Sequence, residues 1–258
     1  MNRFADQVVI VTGGAAGIGA SIAERFAAEG AKVVLAGRTE ATLAEQVQKM
    51  GGGDRLRHTV ADVSKPADIE ALIDFTVAEF GRIDVLVNNA GSGMLGKVTT
   101  VDPASWHHVI ATDLDSIFYG CRFAIPHIIK TGGSIINISS ICGVGADYGF
   151  HAYNAAKAGV INFTRSVALD HARDGIRINC VSPGLIVTPA TNQTPPEVRD
   201  IWHSKIPMGR AGQVEEVSGL VAFLASKDAT YITGQNFIVD GGVMAHTGQI
   251  NLLELYGR

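Results

Sequence analysis

Cysteine is scarce in this 258-residue chain: there are three, Cys121, Cys142 and Cys180, an odd number, widely spaced and without a CxxC pair. That argues against a disulfide framework and suits reduced thiols in a cytoplasm, with all three read as core or near-core fillers. The eight histidines show no HExxH or other ligand spacing, and the adjacent His107 and His108 point apart on a helix, so no metal site is expected. Charged residues make up only 18% and sum to −4, with no block of Lys and Arg, which removes the electrostatic footprint of a nucleic-acid or anionic-membrane binder. Long apolar runs are missing too: none would span a bilayer, and Met1 to Gln7, carrying Arg3 and Asp6, lacks the order of a secretory signal. The expectation is a cytoplasmic protein acting on a small soluble molecule, with no nucleic-acid and no membrane partner.

What is present is apolar mass: 47% of the residues are hydrophobic, enough for a large core in one domain spanning residues 1–258. Short β-branched apolar runs recur between stretches of helical periodicity, at Val8–Thr12, Lys32–Leu35, Leu56–Ala61, Val85–Asn88, Ser134–Ser139, Arg177–Val181 and Asn236–Val239. Seven strands are implied, and their continuously apolar character predicts a parallel sheet covered on both faces. Helices are expected over Gly17–Glu29, Glu40–Met50, Pro66–Phe80, Pro103–Ile129, Phe150–Asp174 and Val214–Ser226. The pattern is a single-domain α/β doubly wound Rossmann fold. Residues 188–212, which contain Pro189, Pro195, Pro196 and Pro207, break the alternation and predict a long substrate loop with a short helix over Glu197–Ser204.

Directly after the first strand comes Thr12-Gly13-Gly14-Ala15-Ala16-Gly17-Ile18-Gly19, which opens a helix. Glycines there let backbone N–H groups approach a pyrophosphate, and the helix N-terminus adds partial positive charge. Asp62-Val63 follows the third strand, Asn88-Asn89-Ala90-Gly91 the fourth and Pro183-Gly184 the sixth. Tyr153 and Lys157 stand four residues apart, on one helix face. Tyrosine, with a reference pKa of about 10, is a poor base at neutral pH unless an ammonium stabilises its phenolate, and Lys157 supplies that charge. Ser139 and Ser140 end the fifth strand at the carboxyl edge where doubly wound proteins bind ligands, and a hydroxyl there can bond a substrate oxygen as charge develops on it.

In order and spacing these motifs resemble the TGxxxGxG, NNAG, PG and Ser-Tyr-Lys pattern of the classical short-chain dehydrogenase/reductase family, over nearly the whole chain. The resemblance implies an NAD(P)(H)-dependent oxidoreductase moving hydride reversibly between the nicotinamide and a secondary alcohol or ketone. By it, Gly13, Ala16, Gly17, Ile18 and Gly19 hold the pyrophosphate, Asp62 and Val63 contact adenine, and Asn89, Ala90 and Gly91 support the sheet beside the cofactor. Ile186 and Thr188, after Pro183 and Gly184, hold the carboxamide, and Tyr153 and Lys157 also touch the cofactor, Lys157 at the nicotinamide ribose. It selects Ser140 over Ser139, which keeps a strand-end capping role. Asp62 as a turn or cap residue and Asn89 as a turn former are the structural alternatives.

Two positions shape the rest of the reading. In Ala36-Gly37-Arg38-Thr39, Gly37 stands where NAD-preferring relatives are acidic and Arg38 follows it, which favours NADP(H) over NAD(H). Asp113-Leu114-Asp115-Ser116-Ile117-Phe118 aligns with the family's NLxxxF, so Asp113 replaces the Asn that serves as fourth catalytic residue, and it is expected within a water or two of Lys157. The family resemblance further implies a homotetramer built on the long helices and the segment Phe237–Leu255. The alternatives are an NAD-dependent sugar or hydroxysteroid-type alcohol dehydrogenase and a non-catalytic cofactor-binding regulator. A pocket drawn from Ser92, Gly93, Met94, Cys142–His151 and the loop with Trp202 and His203 suits an alcohol, sugar, steroid or acyl thioester about equally.

Overall fold

In the computed structural model, which describes residues 2–257, the seven strands are β1 (Val8–Thr12), β2 (Lys32–Gly37), β3 (Leu56–Val60), β4 (Val85–Asn88), β5 (Ser134–Ile138), β6 (Arg177–Pro183) and β7 (Asn236–Val239). They pair in parallel in the order β3-β2-β1-β4-β5-β6-β7. The chain reverses its direction of winding between β1 and β4, and in such sheets the crevice beyond the carboxyl ends at that point binds ligands.

Side chains alternate between the two faces with the strand period of two, so each strand feeds two cores. Val9 and Val11 of β1 pack with Ile22 and Phe26 of α1 (Gly17–Ala28), Leu43 of α2 (Glu40–Lys49) and Val217 and Val221 of α8 (Val214–Ala225), which follows the short loop helix α7 (Pro196–Lys205). Ile10, between them, packs on the other side with Leu72 of α3 (Pro66–Phe80), Ile117 of α5 (Ser116–Ile128) and Val160 of α6 (His151–His171). Each fully buried side chain of this size contributes about 1.5–3 kcal/mol. Local signals set the helix ends: α3 starts on Pro66 in its first turn and stops at Gly81, whose left-handed φ of 75° needs no Cβ.

One polar ladder crosses the second core. Asn88 at the end of β4 donates to Asn137 of β5 (2.8 Å), which donates to Thr164 of α6 (3.0 Å). Gly120 of α5 makes room for it, since a Cβ there would lie 2.6 Å from Asn88 Oδ1.

Four sequence expectations need correction. The helix read as continuous over Pro103–Ile129 is α4 (Pro103–Ile110), a π-helical turn over Ala111–Asp115 and then α5, because one wide turn inserted in a helix barely changes its apolar periodicity. Not every strand is continuously apolar: β3 reads LRHTV and is half-exposed, as an edge strand can be. Cys142 is only half-buried, with its thiol 3.6 Å from Asp147, whereas burial pushes the Cys121 thiol up to about 12 and the Cys180 thiol up to about 11. Helix Phe150–Asp174 ends its α-helical part at His171 and closes in a 3-10 turn, Ala172–Asp174. No helix of the described residues is long and apolar enough to cross a membrane.

Candidate active site

The cleft at the switch point, about 270 Å3, is bordered by Gly13 and Gly37 from the ends of β1 and β2, by Arg38, Asp62 and Val63, and by the Asn89–Ser92 turn after β4. Its floor depends on glycine. At Gly19 a Cβ would stand 2.1 Å from the carbonyl oxygen of Gly13, and at Gly13 itself, with φ +65°, 2.9 Å from Asn89 Nδ2. Helix α1 starts after Ala16 with no side chain capping it and no acid in its first turn. Uncapped N–H groups behind a floor that a Cβ would fill suit the close approach of an anionic pyrophosphate, so the residues present fit a dinucleotide. Ile18 packs against the first core instead of facing outward.

Asn89 ties the turn to the glycine loop: its side-chain amide donates to the carbonyls of Thr12 (2.9 Å) and Gly13 (3.4 Å). Thr12 answers from β1, its hydroxyl accepting from the backbone N–H of Asn89 (2.9 Å) and Ala90 (3.1 Å). That hydroxyl's part in the site went unread in the sequence, although Thr12 heads the glycine motif. Asp62 takes the structural alternative with one oxygen, which accepts from the N–H and hydroxyl of Ser64, and these bonds hold its carboxyl below the usual carboxylate range. Arg38 is exposed at the rim and contributes electrostatically to Asp62.

The other cofactor candidates divide. Thr188 sits beside Gly17, where a Cβ would lie 3.2 Å from its methyl, and its hydroxyl and N–H are engaged with Thr191. Ile186 sends its side chain into the first core and bridges to Gly212, and its carbonyl accepts from the Thr191 hydroxyl (2.8 Å), so its side chain does not line the cleft. Pro183 pairs with Val239, and a Cβ at Gly184 would press Asp240 at 2.9 Å, so this pair brings the ends of β6 and β7 together rather than lining the cleft.

At the chemical end, two contacts stitch β5 to α6: Ser139 Oγ donates to the Lys157 carbonyl (2.8 Å), and Lys157 Nζ donates to the Ile138 carbonyl (3.1 Å). Ser139 is thus more than a strand cap, because it fixes the helix that carries Tyr153. Ser140 follows, buried, its hydroxyl accepting from the N–H of Cys142 (3.1 Å) and still holding a proton to donate. Lys157 is 3% exposed, and its ammonium lies 5.4 Å from the Tyr153 ring centre. Phe150 meets the same ring edge-on.

Asp113 is fully buried in the π-helical turn, and one of its carboxylate oxygens stands 3.3 Å from Lys157 Nζ. The expectation of an intervening water is corrected: the contact is direct. Its other oxygen accepts from the N–H (2.7 Å) and hydroxyl (3.1 Å) of Ser92. Ser92 was read only as a pocket residue, and nothing in its sequence neighbourhood announces a partner 21 residues away. His151 stacks on Trp106 with centroids 5.9 Å apart, a packing arrangement rather than a contact with Tyr153.

Comparison with known proteins accords with this geometry. Residues 13–244 match a family model described as "Enoyl-(Acyl carrier protein) reductase". The chain is 42% identical to the meso-2,3-butanediol dehydrogenase of Serratia marcescens, over 96% of this chain and 98% of that one. It is 39% identical to the 7alpha-hydroxysteroid dehydrogenase of Bacteroides fragilis, over 98% and 100%. With the 3-oxoacyl-(acyl-carrier-protein) reductase of Thermotoga maritima it shares 37% identity over 94% and 99%. With matches running nearly end to end and a glycine-floored cleft beside a serine, a tyrosine and a lysine, the chain belongs to the classical short-chain dehydrogenase/reductase family of nicotinamide-dependent oxidoreductases.

Proposed function

We propose that this oxidoreductase interconverts a secondary alcohol and its ketone with Ser140, Tyr153 and Lys157 as the catalytic group and NADP(H) as the preferred nicotinamide. The observation that carries the reading is the buried Lys157 ammonium 5.4 Å from the Tyr153 ring, beside a strand end that presents Ser140. A bound nicotinamide supplies the hydride donor or acceptor. Tyr153 gives its proton to the carbonyl oxygen in reduction and takes it back from the hydroxyl in oxidation, and the ammonium favours its phenolate between the two. Ser140 donates a hydrogen bond to the same oxygen while negative charge is on it. Lys157 would also hold the nicotinamide ribose of the bound cofactor, with Ile186 and Thr188 toward its carboxamide. A cofactor-binding regulator has no use for a tyrosine poised against a buried ammonium, and the relatives at 37–42% identity carry dehydrogenase and reductase names. The diol and hydroxysteroid relatives support a secondary alcohol as the reacting group, and the 3-oxoacyl-(acyl-carrier-protein) reductase relative supports a ketone, free or on an acyl carrier, as its oxidised partner. The loop at 188–212, with Ile201, Trp202 and Met208 exposed, supplies the apolar wall for such a substrate.

The cofactor preference rests on Arg38 at the cleft rim, with Gly37 beside it in place of an acid. A 2'-phosphate would gain charge-assisted hydrogen bonds from Arg38, and Arg38→Ala is expected to weaken NADPH binding about 10- to 100-fold while NADH changes little. Titration of intrinsic fluorescence with each cofactor checks this. A wild type that prefers NADH, or equal losses for both cofactors, would refute the assignment.

A cytoplasmic homotetramer completes the proposal. Phe118 on α5, Leu169 on α6 and Ile238 on the edge strand β7 are exposed in a single copy, as are Ile250, Leu252, Leu253 and Leu255 near the C-terminus. Association of copies would cover such surface. Light scattering at micromolar protein is expected to return the mass of four chains, and a monomeric mass would contradict it.

A further inference from the structure

The proposed mechanism needs a charged lysine near the tyrosine, and this chain gives that lysine a counter-charge. Asp113 is the one carboxylate at ion-pair distance from Lys157 among the described residues, and both side chains are at most 3% exposed. The pair lies directly under the cofactor turn, where a Cβ on Gly91 would stand 3.1 Å from the Asp113 oxygen and 3.4 Å from Lys157 Nζ. The Ser92 N–H and hydroxyl fix the other oxygen as an acceptor, so the group facing the ammonium is decided by what remains. In aspartate that remainder is a charged oxygen. In asparagine held the same way it is an NH2, a donor facing a donor, which cannot bond the ammonium.

We propose that Asp113 is a positioning residue of the reaction: it holds Lys157 in place and offsets the positive potential that Lys157 exerts on Tyr153, thereby setting the pH at which Tyr153 takes the alcohol's proton. The inference rests on the reading of Tyr153 as the proton carrier. The other titratable groups facing the ammonium are Tyr153 itself, on α6, and Cys180, on β6, whose thiol is neutral at working pH because burial raises it to about 11. Asp113 is therefore the charge whose removal changes the field. The carboxylate is well placed for the purpose, with two hydrogen bonds fixing one oxygen and the Lys157 ammonium 3.3 Å from the other.

The test compares wild type with two neutral variants of different shape, Asp113→Asn and Asp113→Ser, by two readouts. One is log(kcat/KM) for alcohol oxidation against pH. The other is the tyrosinate absorbance of the cofactor-free protein minus that of the same protein carrying Tyr153→Phe. Removal of the carboxylate is expected to move both curves toward lower pH by roughly one unit, and alike in the two variants, because the charge and not the shape is what counts. Curves that superimpose on wild type, or move to higher pH, would overturn the proposal and leave Asp113 a structural substitution. If wild type turns over no alcohol yet the absorbance curve moves as expected, the catalytic reading fails and with it a role for Asp113 in a reaction, while its effect on the titration of Tyr153 stands.

Discussion

Tyr153→Phe lowers kcat roughly 100- to 10,000-fold in both directions, the usual worth of a positioned acid and base, and leaves the fold intact with cofactor still bound. Phenylalanine keeps the ring that Phe150 meets edge-on and that lies 5.4 Å from Lys157, so only the hydroxyl is lost. With it goes the group that carries the proton between substrate oxygen and solvent. Steady-state rates with a saturating alcohol and with a saturating ketone check this, alongside a cofactor titration. A variant that retains kcat would move the proton transfer elsewhere, and one that loses cofactor binding would make the tyrosine a ligand residue first.

The second large effect concerns the floor of the cofactor cleft. Gly19→Ala places a methyl 2.1 Å from the Gly13 carbonyl oxygen and 2.5 Å from Asn89 Nδ2, and the first of these is backbone that cannot swing aside. The expected cost is about 1–3 kcal/mol or more in stability. For a chain of this size that lowers Tm by about 2–4 °C per kcal/mol. Cofactor affinity is lost along with the displaced loop. Gly219 in α8 is the matched control, a helical glycine of ordinary backbone geometry whose Cβ would meet only the tip of Arg25 at 4.0 Å. Gly219→Ala is expected to be neutral or to stabilise by up to about 1 kcal/mol, since alanine removes the entropy cost of glycine in a helix. Thermal unfolding of the two variants, with and without cofactor, makes the comparison. Equal behaviour would show that the loop yields, and that the close approach at Gly19 is not what the site depends on.

Much of this architecture was legible because its signals are local. The runs at Val8–Thr12 and Val85–Asn88 form β1 and β4 at the boundaries read from sequence, and the glycine motif opens α1 at Gly17 as expected. The Tyr153–Lys157 spacing translated directly into a shared helix face, as α6 shows. What escaped is tertiary. The π-helical turn at Ala111–Asp115 adds no residue type that a helix would refuse, so periodicity ran straight through it, and the approach of Asp113 to Lys157, expected within a water or two, was not read as a direct ion pair. A buried ion pair is also the wrong guess from composition, because lone acids and lysines are usually solvated. The Asn88–Asn137–Thr164 ladder was invisible for a related reason: two residues look like strand-end polar groups and the third like an ordinary mid-helix threonine until three elements meet. Where the structural alternative for Asp62 proved real, its Ser64 partner lay two residues away, within reach of a turn reading but silent about the cleft it borders.

The most direct test of the catalytic assignment is nicotinamide absorbance followed on mixing the purified protein with NADPH and a panel of ketones, and with NADP+ and the matching secondary alcohols, beside Tyr153→Phe. The account predicts turnover of at least one ketone–alcohol pair in both directions by the wild type, and none above background by the variant. Tight cofactor binding with no turnover of any pair, or equal turnover by both proteins, would contradict it.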